Sequence, residues 1–193
     1  MEQRSRRKTK RLSAEDWVCA ALEALGRSGC AGVAVEPLAA TLGVTKGSFY
    51  SHFRDRDELL RAALGRWRDD DTARLERLMR EGGSAGAALN AVLADMFDND
   101  SAGRIFVNVC AAGADPLVAP YALDHALHKV DALTDLLRRA GRGRQDALRS
   151  AELTYTAYIG YWRIKSMFPP GDPGVLPGYL ENLRKQLVPR TAG

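Results

Sequence analysis

The stretch VEPLAATLGVTKGSFYSH, residues 35–52, decides the fold. Its apolar residues Leu38, Leu42, Val44 and Phe49 are spaced to line the inner faces of two short helices separated by a turn. Gly43 falls where the first helix must stop, because a residue without Cβ takes the left-handed C-terminal conformation cheaply. Thr45 then stands as N-cap of the second helix, its hydroxyl expected to accept a free backbone N–H. Two helices joined by a short glycine-containing turn make a helix-turn-helix, and the second helix of such a unit suits the major groove of DNA.

The second helix opens with Thr45, Lys46, Gly47 and Ser48, the end that enters a groove. Lys46 can donate to guanine O6 or N7, and Gly47 allows close approach of the backbone. Phe49 and Phe53 suit the core of a three-helix head, while Ser51 fits solvent and groove equally. Residues 42–60, LGVTKGSFYSHFRDRDELL, closely resemble the helix-turn-helix and the start of the fourth helix in TetR-type (TetR/AcrR) transcriptional regulators. The resemblance rests on Thr45-Lys46-Gly47-Ser48, then Phe49-Tyr50, His52-Phe53, a short charged turn and Glu58-Leu59-Leu60. It implies that Tyr50 and His52 hydrogen-bond the DNA backbone and that Arg56, standing where relatives have Lys, pairs with a phosphate. One departure is Val35, at a place where relatives carry a capping Ser or Thr. That side-chain contact is lost, and Glu36 beside it is repelled by phosphates, so affinity is expected to lean on the N-terminal arm.

Residues 1–11 hold Arg4, Arg6, Arg7, Lys8, Lys10 and Arg11 against the single acid Glu2. Such a segment repels itself and buries nothing, so it reads either as a solubilising tail or as an arm through which Arg7, Lys8 and Lys10 meet phosphates or the minor groove. Charge placement favours the arm. The net charge is +4, yet residues 1–68 carry +5 and the remainder −1. All the excess positive charge therefore travels with the helix-turn-helix, as expected for a phosphate-facing module joined to a neutral partner. Cys19, Cys30 and Cys110 are odd in number and lack CxxC spacing, which argues against a disulfide framework or zinc ribbon and suits a reducing cytoplasm. No secretory h-region and no apolar run of membrane-spanning length is present, so a cytoplasmic protein without membrane contact is expected.

Helical patterns run the length of the chain, giving an all-α fold of about nine helices. Ser13 with Asp16 suggests a capping box opening the first helix, which Gly29 should end. The second helix starts near Glu36-Pro37. A fourth runs from Arg56 or Asp57 to Arg80, followed by a glycine-rich loop over 81–86. Further helices are expected over about 85–98, 103–113, 117–140, 145–168 and 175–188, the eighth ended by Pro169-Pro170. The expected divisions are a basic arm at 1–11, a DNA-binding domain at 12–56 with its helix-turn-helix at about 34–53, and a helical domain at 57–193.

What the second half does follows from the resemblance. TetR-type cores enclose a small-molecule pocket among helices four to eight, whose occupation shifts helix four and separates two DNA-binding heads. Candidate lining residues are Trp67, Met96, Phe97, Phe106, Cys110, Tyr121, His125, Tyr155, Tyr158 and Trp162, which suit a hydrophobic or aromatic effector. Each is equally readable as ordinary core. The resemblance also implies a homodimer on a palindromic double-stranded operator, formed by helices eight and nine through Leu153, Ala157, Ile159, Gly160, Ile164, Leu176, Leu180, Leu183 and Leu187. Some of these must pack within one chain. His125 and His128 share a helical face but lack a third ligand, so no metal site is expected, nor any cofactor. No catalytic residues are expected, with no serine nucleophile elbow, P-loop, HExxH or Cys/His pair at catalytic spacing. The first expectation is a repressor released by an effector. The alternative is a DNA binder without small effector, controlled by a protein partner or constitutive.

Overall fold

A computed structural model describes residues 12–169 and 178–187, and the described residues form nine helices and no strand. They are α1 (Ala14–Gly32), α2 (Val35–Leu42), α3 (Lys46–Phe49), α4 (Arg56–Glu81), α5 (Ala85–Asp98), α6 (Asp100–Ala111), α7 (Ala119–Arg139), α8 (Arg144–Lys165) and α9 (Tyr179–Leu187). The expected basic arm, the turn after Pro169 and Leu176 lie outside the described residues.

The local signals act as their chemistry dictates. Ser13 and Asp16 form the capping box: the Asp16 amide donates to Ser13 Oγ at 3.3 Å and the Ser13 amide to Asp16 Oδ2 at 2.7 Å. Asp55 caps α4 through the Glu58 amide at 2.8 Å, with Asp57 and Glu58 in a first turn whose dipole favours acids. Gly43 ends α2 with φ 68°, the left-handed value. Gly29 takes φ 67° and interrupts α1 rather than ending it; helical structure resumes to Gly32. α6 begins at Asp100 rather than at 103, because Asn99 Oδ1 accepts the Ala102 amide and so caps it early.

In the head, Trp17, Leu25, Val33, Leu38, Phe49, Phe53, Leu59 and Leu60 close one buried core. Trp17 meets Phe49 edge-on at 5.3 Å, and Phe53 stacks on Phe49 at 5.8 Å. α1 also packs along α6, and α4 runs without a break from the head into packing with α5 and α7. The head is thus tied to the rest of the chain twice. On the α1–α6 tie, Asn108 Nδ2 donates to the Leu25 and Gly26 carbonyls at 2.8 and 3.1 Å, just before the bend at Gly29.

α6 itself is pressed into the core. Gly103 lies under Trp162, so close that a Cβ there would stand 2.0 Å from the indole. Trp162 Nε1 in turn donates to the Met96 carbonyl at 2.8 Å. α7 and α8 form an antiparallel pair, and α9 packs on α5. Gly103→Ala should therefore lower stability by about 3 kcal/mol through overpacking. Urea unfolding checks this as a lower midpoint at unchanged slope.

Candidate nucleic-acid interface and buried polar cluster

The helix-turn-helix face is built from short-range contacts. Thr45 occupies the N-cap position of α3 with extended φ and ψ, but its hydroxyl makes no capping bond. The Ser48 amide, one of the two donors such a hydroxyl could serve, bonds instead to the Thr45 carbonyl at 3.0 Å. Ser51, ambiguous in sequence, turns its hydroxyl back to the Ser48 carbonyl at 2.7 Å. Gly47 has no left-handed φ, and a Cβ added there would meet only ordinary contacts. Nothing inside the chain requires glycine at this helical position, where it costs about 1 kcal/mol relative to alanine. Thr45, Lys46, Gly47 and Tyr50 are exposed, and Ser48 and His52 are partly so, leaving one accessible strip.

Two charges in this strip are engaged in ways the sequence did not disclose. Lys46 Nζ lies 2.8 Å from Glu36 Oε1, bridging the start of α3 to the start of α2. Each holds the other charged: Lys46 draws the Glu36 carboxyl below its usual range, and Glu36 raises the Lys46 ammonium. Glu36 is therefore a partner of Lys46 and not only a repulsive neighbour. Arg56, expected on a phosphate, instead donates from Nε to the Val33 carbonyl at 2.8 Å and from an Nη to the Cys30 carbonyl at 2.6 Å. α1 has no basic residue in its last turn, and Arg56 supplies the missing cation to its open carbonyls.

The second site is a buried cluster on α4, α7 and α8. Asp71, only 7% exposed, lies 3.1 Å from Lys129 Nζ and 3.4 Å from His125 Nε2, and accepts from Arg74 at 2.7 Å. Lys129 and His125 are 2% and 4% exposed. His125 Nδ1 stands 3.1 Å from the Tyr155 hydroxyl. With Nε2–H facing Asp71, Nδ1 can only accept, so the tyrosine donates. Arg74 continues to Asp95 at 2.9 Å, and Asp95 accepts from Asn99, the cap of α6. One path of hydrogen bonds and close charge contacts therefore joins α8, α7, α4, α5 and α6. Its two cations balance its two carboxylates. Burial pushes the histidine down to about 4 and the Tyr155 and Tyr158 hydroxyls upward.

Of the candidate pocket residues, Trp67 stacks on His125 at 4.8 Å, and Phe106 packs at 5.0 Å from that imidazole and 4.1 Å from Tyr158. Cys110 is partly buried, its thiol raised to about 11 by that burial. Phe97 meets Tyr158 edge-on at 5.6 Å and carries the aromatic packing on to Tyr161 and Tyr179. Trp162 packs on Gly103, and Tyr121 lies beneath Arg68 in a surface groove of about 810 Å3 between α4 and the start of α7. The nominated side chains thus divide between one continuous aromatic core and a surface groove. His128 is exposed and apart from His125, and no metal-binding cluster occurs among the described residues. Sequence reasoning missed Asp71, Arg74 and Lys129, since charges on amphipathic helices ordinarily face solvent. It also passed over GGSAG at 82–86, which has the letter spacing of a nucleophile elbow. Ser84 there caps α5 through the Ala87 amide, in a helix-to-helix turn rather than the strand-to-helix turn an elbow needs.

Residues 18–63 match the sequence family described as bacterial regulatory proteins, tetR family. No curated protein matches the chain. Solved structures similar over nearly the whole chain include a TetR-family transcriptional regulator from Agrobacterium tumefaciens, at TM-score 0.77 and 18% identity, covering 91% of this chain and 97% of that one. E. coli NemR in its reduced form gives 0.72 and 21%, covering 92% and 98%. The multidrug binding protein EbrR, solved with imidazole, gives 0.57 and 20%, covering 93% and 91%. At these identities the likeness establishes a shared fold. Among the described residues no helix is long and apolar enough to cross a membrane.

The cluster sets a pH dependence. His125 is depressed in the folded chain to about 4 from 6.5, so its contribution is complete above pH 6.5 and is lost as pH falls toward 4. Between pH 7.5 and 5 the chain should lose about 2 kcal/mol from this group. Urea titrations across that range should show a shallower loss in His125→Phe.

Proposed function

Taking the chain as a DNA-binding transcriptional regulator of the tetR family, to which its residues 18–63 belong, we propose that it acts as a homodimer on a palindromic operator. Residues 12–56 form the DNA-binding domain and 57–193 the ligand-binding and dimerisation domain. Thr45, Lys46, Gly47 and Ser48 meet base edges, and Tyr50 and His52 meet phosphates, joined by the arm residues Arg7, Lys8 and Lys10. Arg56 acts indirectly, holding the end of α1 against the start of α4. The observation that carries this reading is the exposed strip around Gly47, a position where glycine serves nothing inside the chain.

The dimer surface is the outward face of α8. Leu153, 71% exposed, is followed at helical spacing by Ala157, Gly160 and Ile164. Gly160 has open space where a Cβ would stand, which suits close approach of a second helix. The expected role of α9 shrinks, because Leu187 is buried in its own chain and Tyr179 packs on Phe97 and Tyr161. Exposed Leu123, Leu127 and Leu148 extend the apolar surface along α7 and α8 instead.

A hydrophobic or aromatic effector that favours a displaced α4 lowers operator occupancy by linkage, which makes the chain a repressor wherever its operator overlaps a promoter. EbrR, a multidrug binding protein of this fold, supports the effector reading. The packed ring stack of Trp67, His125, Phe106 and Tyr158 favours the second reading, a regulator without small effector. A thermal-shift screen of hydrophobic compounds followed by gel shift separates them: hits that release DNA support the first, and none supports the second.

Enrichment of duplexes from a random library should yield a palindrome, and Lys46→Ala should change the enriched bases. Tyr50→Phe should weaken all sequences alike. An unchanged preference in the Lys46 variant removes that residue from base readout. Glu36→Gln removes the carboxylate that neutralises Lys46 and faces the phosphates, so every duplex should bind more tightly in gel shift, with the bases that Lys46 selects unchanged. Gly160→Glu should leave the fold intact, give monomers by sedimentation and abolish tight operator binding.

A further inference from the structure

A groove runs along the seam between α1 of the head and α6 of the core. It has two lobes, of about 400 and 330 Å3, that share Leu22, Ser101 and Ile105. The first lobe adds Gly26 and Arg104, and the second reaches α4 at Trp67 and Arg74. Its walls are apolar at Leu22, Ile105 and Trp67, with a hydroxyl at Ser101 and guanidinium groups on both sides.

The charges in this groove are unevenly paired, with Arg66 shared between Asp70 and Glu15 and Arg104 left without a partner among the described residues. Glu23 is paired with Arg27 at 3.4 Å, and Asp70 with Arg66 at 2.8 Å. Arg74 belongs to the balanced cluster with Asp71 and Asp95. Arg104 is partly buried and has no hydrogen bond or ion pair among the described residues. One guanidinium is left over, half withdrawn from water beside an apolar wall. Such a group gains most from a single anionic charge that brings apolar surface with it.

We propose that the α1–α6 seam binds a small amphipathic monoanion, its carboxylate or sulfonate on Arg104 and Ser101 and its apolar body along Leu22, Ile105 and Trp67. The seam is distinct from the buried cluster, with which it shares Trp67 and Arg74 as walls. Occupation has a directed consequence. α6 is pinned, by Gly103 against Trp162 and by Asp100 on Lys165 at 2.6 Å. The facing wall is α1, which bends at Gly29 and is held to α6 by the two Asn108 bonds. Gly26 is already tight, since a Cβ there would stand 3.3 Å from Ile105. A guest that wedges in past Gly26 and Ile105 displaces α1, and the head with it. This last step rests on the DNA-binding reading above; the binding step does not.

The test is calorimetric titration of the full chain with octanoate, decanoate and naphthalene-1-sulfonate, with acetate as ionic-strength control. At least one anion should bind, and Arg104→Gln should weaken it by about tenfold, the worth of one charge-assisted hydrogen bond. Arg104→Lys should retain most of the affinity, Ser101→Trp should block the groove, and decan-1-ol should not distinguish wild type from Arg104→Gln. Thermal melts of each variant establish that it is folded. Equal affinity in wild type and Arg104→Gln, no binding by any of the three anions, or undiminished binding in Ser101→Trp overturns the site. Fluorescence anisotropy with a labelled duplex reads the second step separately. Weaker DNA binding with decanoate than with equal acetate supports displacement of α1, and unchanged DNA binding by a ligand that titrates normally overturns it.

Discussion

The Asp71 carboxylate is the constraint on which the rest of the structure depends. A buried carboxylate or ammonium costs several kcal/mol unless it is paired, and removing one partner of such a pair is strongly destabilising. Asp71 is withdrawn from water together with Lys129, which pairs with it, while Arg74 and His125 complete the contacts of the carboxylate. α4 therefore has one allowed rotation relative to α7. Through Arg74, Asp95 and Asn99 the same requirement reaches α5 and the start of α6. Because α4 runs unbroken into the head, a fixed register in the core becomes a fixed direction for α3.

A second connection makes that direction a shared property of two helices. Asn108 on α6 holds the bent end of α1, and Arg56 at the start of α4 holds the carbonyls of Cys30 and Val33 just beyond it. Head and core meet at these few polar bonds, with apolar packing on either side. Interfaces of this kind have discrete arrangements rather than continuous ones, which is what a ligand-biased regulator needs. A ligand acts on such a protein only through its different affinity for the two arrangements.

Signals that act over three or four residues were legible in the sequence. The Ser13–Asp16 box, the left-handed Gly43 and the all-helical pattern all belong to that class. Contacts between distant charges were not. Asp71, Lys129 and Arg74 look in sequence like the polar faces of α4 and α7, and only tertiary packing turns them inward. The bonds of Arg56 were hidden for the same reason: a cation at a helix start is equally suited to a phosphate or to carbonyls 23 and 26 residues away. α9 could not be apportioned between self-packing and dimerisation, because its leucines serve either face equally well.

The central claim is that one four-residue helix is presented twice, by two copies of the chain, to one face of a duplex. Recognition helices of a two-fold pair stand about 34–36 Å apart, one turn of DNA. Hydroxyl-radical footprinting of a bound duplex reads that spacing directly. Two symmetric protected tracts on the same face, centred about 10 base pairs apart or at a multiple of that, are the expected result. A single asymmetric tract, or uniform protection without period, contradicts it.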